Sequence, residues 1–313
     1  MTTTPAGSAT AVVFPGMAPS NHAAVGGFMA TDPHARRRLR GADDVLGYRL
    51  LDRFRDDGDR GEYTQLAFFV NCLALADRAT DVLGLTADIC VGPSFGQLAA
   101  AAHTGAVTFE DAVLMVARMA RCEERYFSQQ HGELVTRFFF RTPSEALRGV
   151  LRKREERGQW FDMSCFFGDG FYAITLAASD VMDFDKAVLA AGGVPLYSIR
   201  PAIHCRAFGE LREHMAGVLH DFTFRPACVP VVSDHDGSVV QDAEAVRKLV
   251  LDGYVKPVDW RKVVATLRRR GVRKVWVPGP SNVFDRLART HFDVVTVAPS
   301  VERSSNNPFL TAR

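Results

Sequence analysis

A five-residue segment between an apolar strand and an alanine-rich helix places the strongest constraint on the fold of this chain. The segment is Gly92-Pro93-Ser94-Phe95-Gly96. Residues 87–91 before it have the pattern of a short buried strand, and residues 97–103 after it favour a helix. A GxSxG sequence in this setting is typical of a sharp strand-to-helix turn that exposes its serine at the end of a sheet. The sequence therefore predicts an α/β fold in which Ser94 is a nucleophile.

Apolar strands and amphipathic helices alternate along the rest of the chain. Predicted strands cover residues 11–14, 194–199, 229–232 and 274–277, and predicted helices cover residues 63–80, 108–126, 144–157, 179–191, 210–220 and 259–270. Such alternation favours a mostly parallel sheet. Over residues 161–178 the composition changes to aromatic and β-branched residues broken by glycines. Together with the helix and strand that follow, this segment predicts a small inserted subdomain.

Composition excludes several classes of function. A formal net charge of +2 over 313 residues gives no strong field that would attract nucleic acid or a membrane surface. The chain has no run of about 18 apolar residues and no signal-peptide pattern at its start. Six cysteines are scattered without a CxxC pair, which favours buried thiols in a reducing compartment, so we expect a cytoplasmic protein. No cluster has metal-ligand spacing and no dinucleotide fingerprint is present, so no metal or cofactor is expected.

A serine nucleophile needs a base, and the chain has nine histidines. His34, His131 and His235 occur in charged or loop contexts and are predicted to lie at the surface. His103 lies about 13 Å from Ser94 along the same predicted helix, which is too far for proton transfer. The position of His204 after the last strand of the small subdomain, taken alone, favours a structural histidine.

The order of motifs along the chain resembles the malonyl-CoA:acyl-carrier-protein transacylase family. The matching segments are Phe14-Pro15-Gly16-Met17, Tyr63-Thr64-Gln65, the GxSxG segment, and residues 105–112, 201–205, 229–232, 256–260 and 277–280. The resemblance covers nearly the whole chain. It implies an α/β-hydrolase-like catalytic domain of residues 1–127 and 201–313, with an inserted ferredoxin-like subdomain of residues 128–200.

The resemblance also implies a set of catalytic residues. Ser94 would attack a thioester with His204 as its base. The backbone N–H groups of Phe95 and Met17 would form the oxyanion hole, and the backbone carbonyl of Lys256 would orient the histidine. The acyl group would then pass from the serine to a second phosphopantetheine thiol with ping-pong kinetics. The phosphopantetheine belongs to the substrate, either CoA or a carrier protein, so the enzyme itself is expected to need no cofactor.

The resemblance places Gln65, Pro93, Met119 and Ile203 in the acyl pocket, and three of them depart from the family pattern. Met119 stands where malonyl-specific members carry an arginine that pairs with the free carboxylate of malonate. A methionine offers a flexible apolar surface and no donor. Ile203 replaces a frequent phenylalanine, and Pro93 a usual histidine. The pocket is therefore predicted to accept an acyl group without a free carboxylate. The candidates are aminoacyl and dipeptidyl groups, which some discrete acyltransferases of polyketide pathways move.

Acyl carrier proteins, as donor and acceptor, are the expected partners, and the chain itself is expected to be a monomer. Carrier proteins are acidic, so a docking face should be basic. The predicted docking residues are Arg148, Arg152, Lys153 and Arg154, on the charged helix of the small subdomain. An ordinary solvated helix face is the alternative interpretation of these four residues, and a second basic cluster occurs over residues 268–274.

Three other functions remain open at this level. A thioester hydrolase would share the nucleophile, the base and the oxyanion hole, with water in place of the second thiol. An ordinary malonyl transferase would need Arg118, the neighbour of Met119, to take the place of the missing arginine. A non-catalytic module that binds carrier proteins is disfavoured because both Ser94 and His204 are present.

Overall fold

The computed structural model describes residues 9–18, 20–58, 61–168, 170–280 and 283–299. Residues 1–8, which carry most of the segment tested for a signal peptide, lie outside them. The strands are β1 (Ala9–Val13), β2 (Ile89–Val91), β3 (Leu134–Phe140), β4 (Asp162–Gly168), β5 (Phe171–Ala177), β6 (Val194–Ile199), β7 (Val231–Val232), β8 (Val239–Val240), β9 (Val258–Asp259), β10 (Val272–Pro278) and β11 (Asp293–Val297).

The helices surround two sheets built from these strands. They are α1 (His22–Thr31), α2 (Pro33–Leu46), α3 (Leu50–Phe54), α4 (Glu62–Leu83), α5 (Gly96–His103), α6 (Phe109–Phe127), α7 (Ser144–Glu156), α8 (Val181–Ala190), α9 (Gly209–His220), α10 (Ala243–Asp252), α11 (Trp260–Arg269) and α12 (Val283–Arg289). Within the described part of the chain, none of these helices has the length and apolar character needed to cross a bilayer.

The larger sheet has the strand order β11-β10-β1-β2-β7-β8. Every neighbouring pair is parallel except β7 and β8, which are antiparallel. The central strand β1 is buried on both faces at Ala11, Val12 and Val13, as expected for a parallel strand covered by helices on both sides. The predicted α/β class with a mostly parallel sheet is confirmed.

The smaller sheet has the order β6-β3-β5-β4-β9. Its first four strands are antiparallel, and β3, which the sequence analysis did not predict, is central to it. Helices α7 and α8 pack on this sheet through a core that includes Val135, Phe139 and Phe184. The strand β9 comes from the later part of the chain and pairs in parallel with β4. The ferredoxin-like subdomain is therefore present, while its boundary at residues 128–200 stays a proposal.

Only three of the four docking residues predicted on helix α7 are exposed. Arg154 is only 4% exposed, donates a 2.7 Å hydrogen bond to Asp180 and lies over the ring of Phe184. Its long aliphatic stem can be buried because a carboxylate compensates the guanidinium. Arg154 is thus a packing residue, and its assignment to a docking face is wrong. Arg152 and Lys153 are exposed, and the exposed Arg148 pairs with Glu145.

Candidate active site

The turn between β2 and α5 has the sharp geometry that the GxSxG segment predicts. Ser94 adopts a φ of 57°, in the left-handed region that non-glycine residues rarely occupy. A Cβ atom on Gly92 would lie 2.2 Å from the carbonyl oxygen of Gly96. A Cβ atom on Gly96 would lie 2.2 Å from the carbonyl oxygen of Phe14. Both glycines are therefore needed because backbone passes directly against them.

A buried carboxylate, Asp234, holds this turn in place. Its Oδ2 accepts a 2.7 Å hydrogen bond from the backbone N–H of Ser94, and its Oδ1 accepts a 2.6 Å hydrogen bond from Nε2 of Gln97. The sequence analysis assigned Asp234 only to the turn after β7 and missed this contact. A usable signal was that β2 and β7 are both short apolar strands of a parallel sheet, whose carboxyl ends meet at one edge.

His235, predicted to lie at the surface, is buried in the same region. It is 7% exposed, and its Nδ1 lies 3.2 Å from Oδ1 of Asp234. Its Nε2 lies 3.4 Å from the side-chain nitrogen of Gln97. The prediction was wrong because the polar turn after β7 folds inward, against the turn that carries Ser94.

Ser94 and His204 lie within hydrogen-bond distance of each other. Nε2 of His204 is 2.8 Å from Oγ of Ser94, and Nδ1 is 2.6 Å from the backbone carbonyl oxygen of Gly253. A carbonyl oxygen can only accept, so Nδ1 carries the proton and Nε2 is left as an acceptor for the serine hydroxyl. The pair has the geometry of a nucleophile with its general base.

The carbonyl that orients His204 is that of Gly253, which corrects the prediction of Lys256. Helix α10 ends at Asp252, and the chain then turns so that the N–H of Lys256 donates a 2.8 Å hydrogen bond back to the Asp252 carbonyl. This tight turn places the carbonyls of residues 253 and 254, and not that of Lys256, next to His204 and Cys205. The next carbonyl, of Tyr254, accepts from the N–H of Cys205 at 3.1 Å.

The side chain of Asp252 anchors that turn. Its carboxylate accepts hydrogen bonds from Lys248, from Nζ of Lys256 at 2.6 Å and from Arg212 at 3.2 Å. Burial by itself raises the pKa of Asp252, but the hydrogen bonds and charges of the two lysines outweigh it and leave the pKa below its usual value. Asp252 thus stays ionised and fixes the residue that precedes the orienting carbonyl.

We expect the Asp252→Asn variant to lose stability at neutral pH and to lose less of it in acid. A carboxyl with a lowered folded pKa contributes stability above its unfolded pKa, about 3.9, and that contribution disappears as pH falls through the folded pKa. Urea unfolding of parent and variant between pH 7 and pH 3 measures the difference. The difference between the free energies of unfolding of the two proteins should become smaller below about pH 4. A gap of constant size would contradict this role for Asp252.

The two residues predicted to supply the oxyanion donors line the same cavity as Ser94. Phe95 is the N-cap residue of α5, where free backbone N–H groups and the helix dipole favour a developing negative charge. Phe95, Met17 and Ser94 all line one cavity. The roles of the Phe95 and Met17 N–H groups stay predictions.

A cavity of about 500 Å³ opens beside Ser94 and His204. The described residues that line it are Met17, Gly61, Glu62, Gln65, Ser94, Phe95, Gln97, Leu98, Met119, Ala120, Glu123, Glu124, Phe127, Ser128, Pro201, Ala202, Ile203, His204, Phe208, Leu211, Val250, Gly253 and Tyr254. Three of the four residues predicted for the acyl pocket are among them. Pro93 is not among them, since it is buried within the turn, and its assignment to the pocket is corrected.

Met119 and Arg118 face different surroundings. Met119 is 3% exposed and belongs to the cavity wall. Arg118 is exposed, forms an ion pair of 2.5 Å with Asp221 and lies over the ring of Phe222. Consecutive helix positions are rotated by about 100°, which explains the separation. Arg118 therefore does not take the place of a cationic residue in the cavity.

Comparisons with known proteins match this arrangement. The family described as the VinK acyltransferase small domain matches residues 138–199. The malonyl CoA-acyl carrier protein transacylase of Bacillus subtilis (strain 168) is 25% identical over 265 residues, which cover 82% of this chain and 82% of the relative. This chain is a homologue of malonyl-CoA:acyl-carrier-protein transacylases and of polyketide synthases. It is an acyltransferase, as its homologues are.

Further relatives of this acyltransferase include both separate enzymes and parts of larger ones. The transacylase of Synechocystis sp. is 24% identical over 90% of this chain and 92% of the relative. The non-reducing polyketide synthase nscA of Arthroderma benhamiae is 22% identical over 78% of this chain, which spans only 14% of that synthase. A solved malonyl-transacylase, in complex with the acyl-carrier protein of a type II polyketide synthase, has the same fold (TM-score 0.83, 22% identity, 94% and 97% of the two chains).

Proposed function

We propose that this acyltransferase moves an acyl group without a free carboxylate between the phosphopantetheine thiols of carrier proteins, through an acyl-Ser94 intermediate. Aminoacyl and dipeptidyl groups of polyketide biosynthesis are the proposed cargo. The observation that carries the proposal is the wall of the acyl cavity. Its described residues include Met119 and three glutamates but no lysine or arginine. A carboxylate enclosed there without a cation would be destabilised by several kcal/mol.

The dyad supports transfer in two matched half-reactions. Oγ of Ser94 attacks the thioester carbonyl carbon while its proton passes to Nε2 of His204. The carbon–sulfur bond then breaks, and the departing sulfur takes that proton as the acyl-serine ester forms. In the second half-reaction the acceptor thiol gives its proton to His204 and attacks the ester. The proton returns to Ser94 as the new thioester leaves, which restores the free enzyme.

Intact-protein mass spectrometry with a panel of thioesters tests the proposal. The panel contains malonyl, acetyl, octanoyl, aminoacyl and dipeptidyl groups, each on CoA and on a carrier protein. We expect Ser94 to be acylated by carboxylate-free donors at least about tenfold faster than by malonyl, since a lost charge partner is worth more than 1.4 kcal/mol. Malonyl as the best donor would refute it.

The fate of the acyl group separates transfer from hydrolysis. Adding an acceptor carrier protein should discharge the acyl-enzyme and produce acyl-carrier protein of the expected mass. Release of free acid at the same rate with and without acceptor would instead identify a thioester hydrolase.

We propose that the carrier protein docks on the exposed basic residues of α7. The solved transacylase with the same fold is in complex with an acyl-carrier protein, and such partners are acidic. Arg152 and Lys153 are both exposed, and Arg148 is the third proposed docking residue. Arg154 is excluded because it is buried against Asp180.

Reversing the charge at Arg152 and Lys153 together to glutamate should raise the apparent KM for the carrier protein about tenfold at low salt, because complementary charges mainly speed association. The matched control reverses Arg270 and Arg273, two exposed arginines of the second basic cluster, and changes the net charge equally. Steady-state transfer kinetics at two ionic strengths give the measurement. Equal effects of the two double variants would show a general charge effect and no docking at α7.

A further inference from the structure

We propose that Gln97 is a positioning residue that sets the separation between Ser94 and His204. It acts on the serine through Asp234 and on the histidine through Gly253. This inference rests on the acyl-serine mechanism proposed above and adds the residue that holds the two reacting side chains in place.

Two hydrogen bonds in series connect Gln97 to the serine. Gln97 lies in the first turn of α5, three residues after Ser94, and is 4% exposed. Its Nε2 donates a 2.6 Å hydrogen bond to Oδ1 of Asp234, whose Oδ2 accepts the 2.7 Å hydrogen bond from the N–H of Ser94. A carboxylate accepts hydrogen bonds and does not donate them, so the amide nitrogen of Gln97 must face it. One fully buried carboxylate therefore ties the backbone of the serine to the side chain of Gln97.

A direct packing contact connects Gln97 to the histidine side. A Cβ atom on Gly253 would lie 3.1 Å from Oε1 of Gln97, and 3.2 Å from the carbonyl oxygen of Val250 in the preceding helical turn. Gly253 has a φ of −56°, which any residue adopts, so close packing favours glycine here and backbone conformation does not. The same residue supplies the carbonyl oxygen that lies 2.6 Å from Nδ1 of His204. The orienting peptide therefore rests against the amide of Gln97.

The reacting atoms belong to segments that are distant in sequence. Ser94 follows β2 and His204 follows β6, and 110 residues separate them along the chain. Their Oγ and Nε2 atoms lie 2.8 Å apart, within the range that proton transfer needs. A displacement of about 1 Å between reacting groups can slow a reaction by about 10²-fold. A change at Gln97 that preserves the fold should therefore slow acylation, because Gln97 contacts the supports of both side chains.

An exchange of donor and acceptor tests the serine side. Gln97→Glu places a second acceptor against the carboxylate of Asp234, and Asp234→Asn leaves one of its two donors without an acceptor. The double variant restores both bonds, since the new asparagine accepts from the N–H of Ser94 and donates to the new glutamate. It also preserves the total charge of the two side chains. His235, whose two ring nitrogens lie 3.2 Å from Oδ1 of Asp234 and 3.4 Å from Nε2 of Gln97, can follow the exchange by changing tautomer.

An added methyl group tests the histidine side. Gly253→Ala should push the orienting peptide and the amide of Gln97 apart by a few tenths of an ångström. Gly217→Ala is the matched control, because Gly217 is exposed on α9 and a Cβ atom there meets no described atom within 4 Å.

Single-turnover acylation of Ser94 gives the rate, with malonyl, octanoyl and glycyl-β-alanyl thioesters of one carrier protein at saturating concentration. We expect Gln97→Glu and Asp234→Asn each to slow acylation at least about tenfold, and the double variant to return to within about threefold of the parent. Gly253→Ala should slow acylation at least about threefold, and Gly217→Ala should leave it unchanged. Urea unfolding of every variant separates this role from a structural one, which would lower stability and leave the rate of the folded enzyme at the parent value.

Three results overturn the assignment of Gln97. They are a double variant as slow as the slower single variant, single variants that retain the parent rate, and Gly253→Ala at the parent rate. If malonyl is the best donor of the parent and the exchange rescues its rate, the proposed cargo is refuted and the positioning role stands. If a carboxylate-free donor is best and the exchange fails, the proposed function survives and this inference fails. If no donor acylates the parent, both fail.

Discussion

Replacing Ser94 with alanine should abolish the covalent acyl adduct and reduce acyl transfer to background. The mass increase that a carboxylate-free thioester produces on the parent should be absent from the variant under the same conditions. The reason is that Oγ of Ser94 is 2.8 Å from Nε2 of His204 and lines the acyl cavity, so it is the atom placed to form the ester. Intact-protein mass spectrometry after rapid mixing measures the adduct. An adduct of equal size on the alanine variant would mean that a residue other than Ser94 is the nucleophile.

A glycine variant of the same residue separates chemistry from folding. Ser94→Gly also lacks the nucleophile, but glycine adopts a φ of 57° without the steric cost that serine and alanine carry. We therefore expect Ser94→Gly to be more stable than Ser94→Ala by about 1 kcal/mol, with both free of adduct. Urea unfolding measures the difference. Equal stability would mean that the turn does not store strain at this residue.

Replacing His204 with asparagine should slow acylation by a factor of about 10² to 10⁴, the usual contribution of a general base. Asparagine tolerates the positive φ of 51° at this position, and its amide can still donate to the Gly253 carbonyl. It cannot accept a proton from Ser94 and return it. The rate of adduct formation in single-turnover experiments measures this loss.

The control for this variant is His214→Asn, an exposed histidine on α9 that does not line the described cavity. It should leave the acylation rate unchanged. Unfolding of both variants should show that each remains folded at the assay temperature. A loss of less than about tenfold for His204→Asn would mean that water or another group takes the proton from Ser94.

Much of the fold was predictable because its signals are local. The helix that begins after Thr108 is capped by that side chain, which accepts from the N–H of Asp111 at 3.1 Å, and acidic residues follow in its first turn. The strand β6 was predicted at its observed bounds. Strand β3 and the burial of Arg154 were not predicted from the sequence. Both depend on the packing of α7 and α8 on the small sheet. No local pattern shows which helix face another element will cover.

The sequence by itself predicted Ser94 as the nucleophile and determined the turn that carries it, because strand, glycines and helix all lie within a few residues of Ser94 and dictate one local geometry. Tertiary structure alone decided what surrounds that serine. Asp234 contacts it across 140 residues of chain and His204 across 110, and Tyr254 meets Glu123 across 131. Asp234 reaches the serine because β2 and β7 are parallel strands that end at one edge of the sheet. The other partners come from the loop after β6 of the small sheet, the turn after α10 and helix α6. A hydrogen bond between such loops depends on their relative placement, which residue spacing does not encode, and so the orienting carbonyl proved to be that of Gly253.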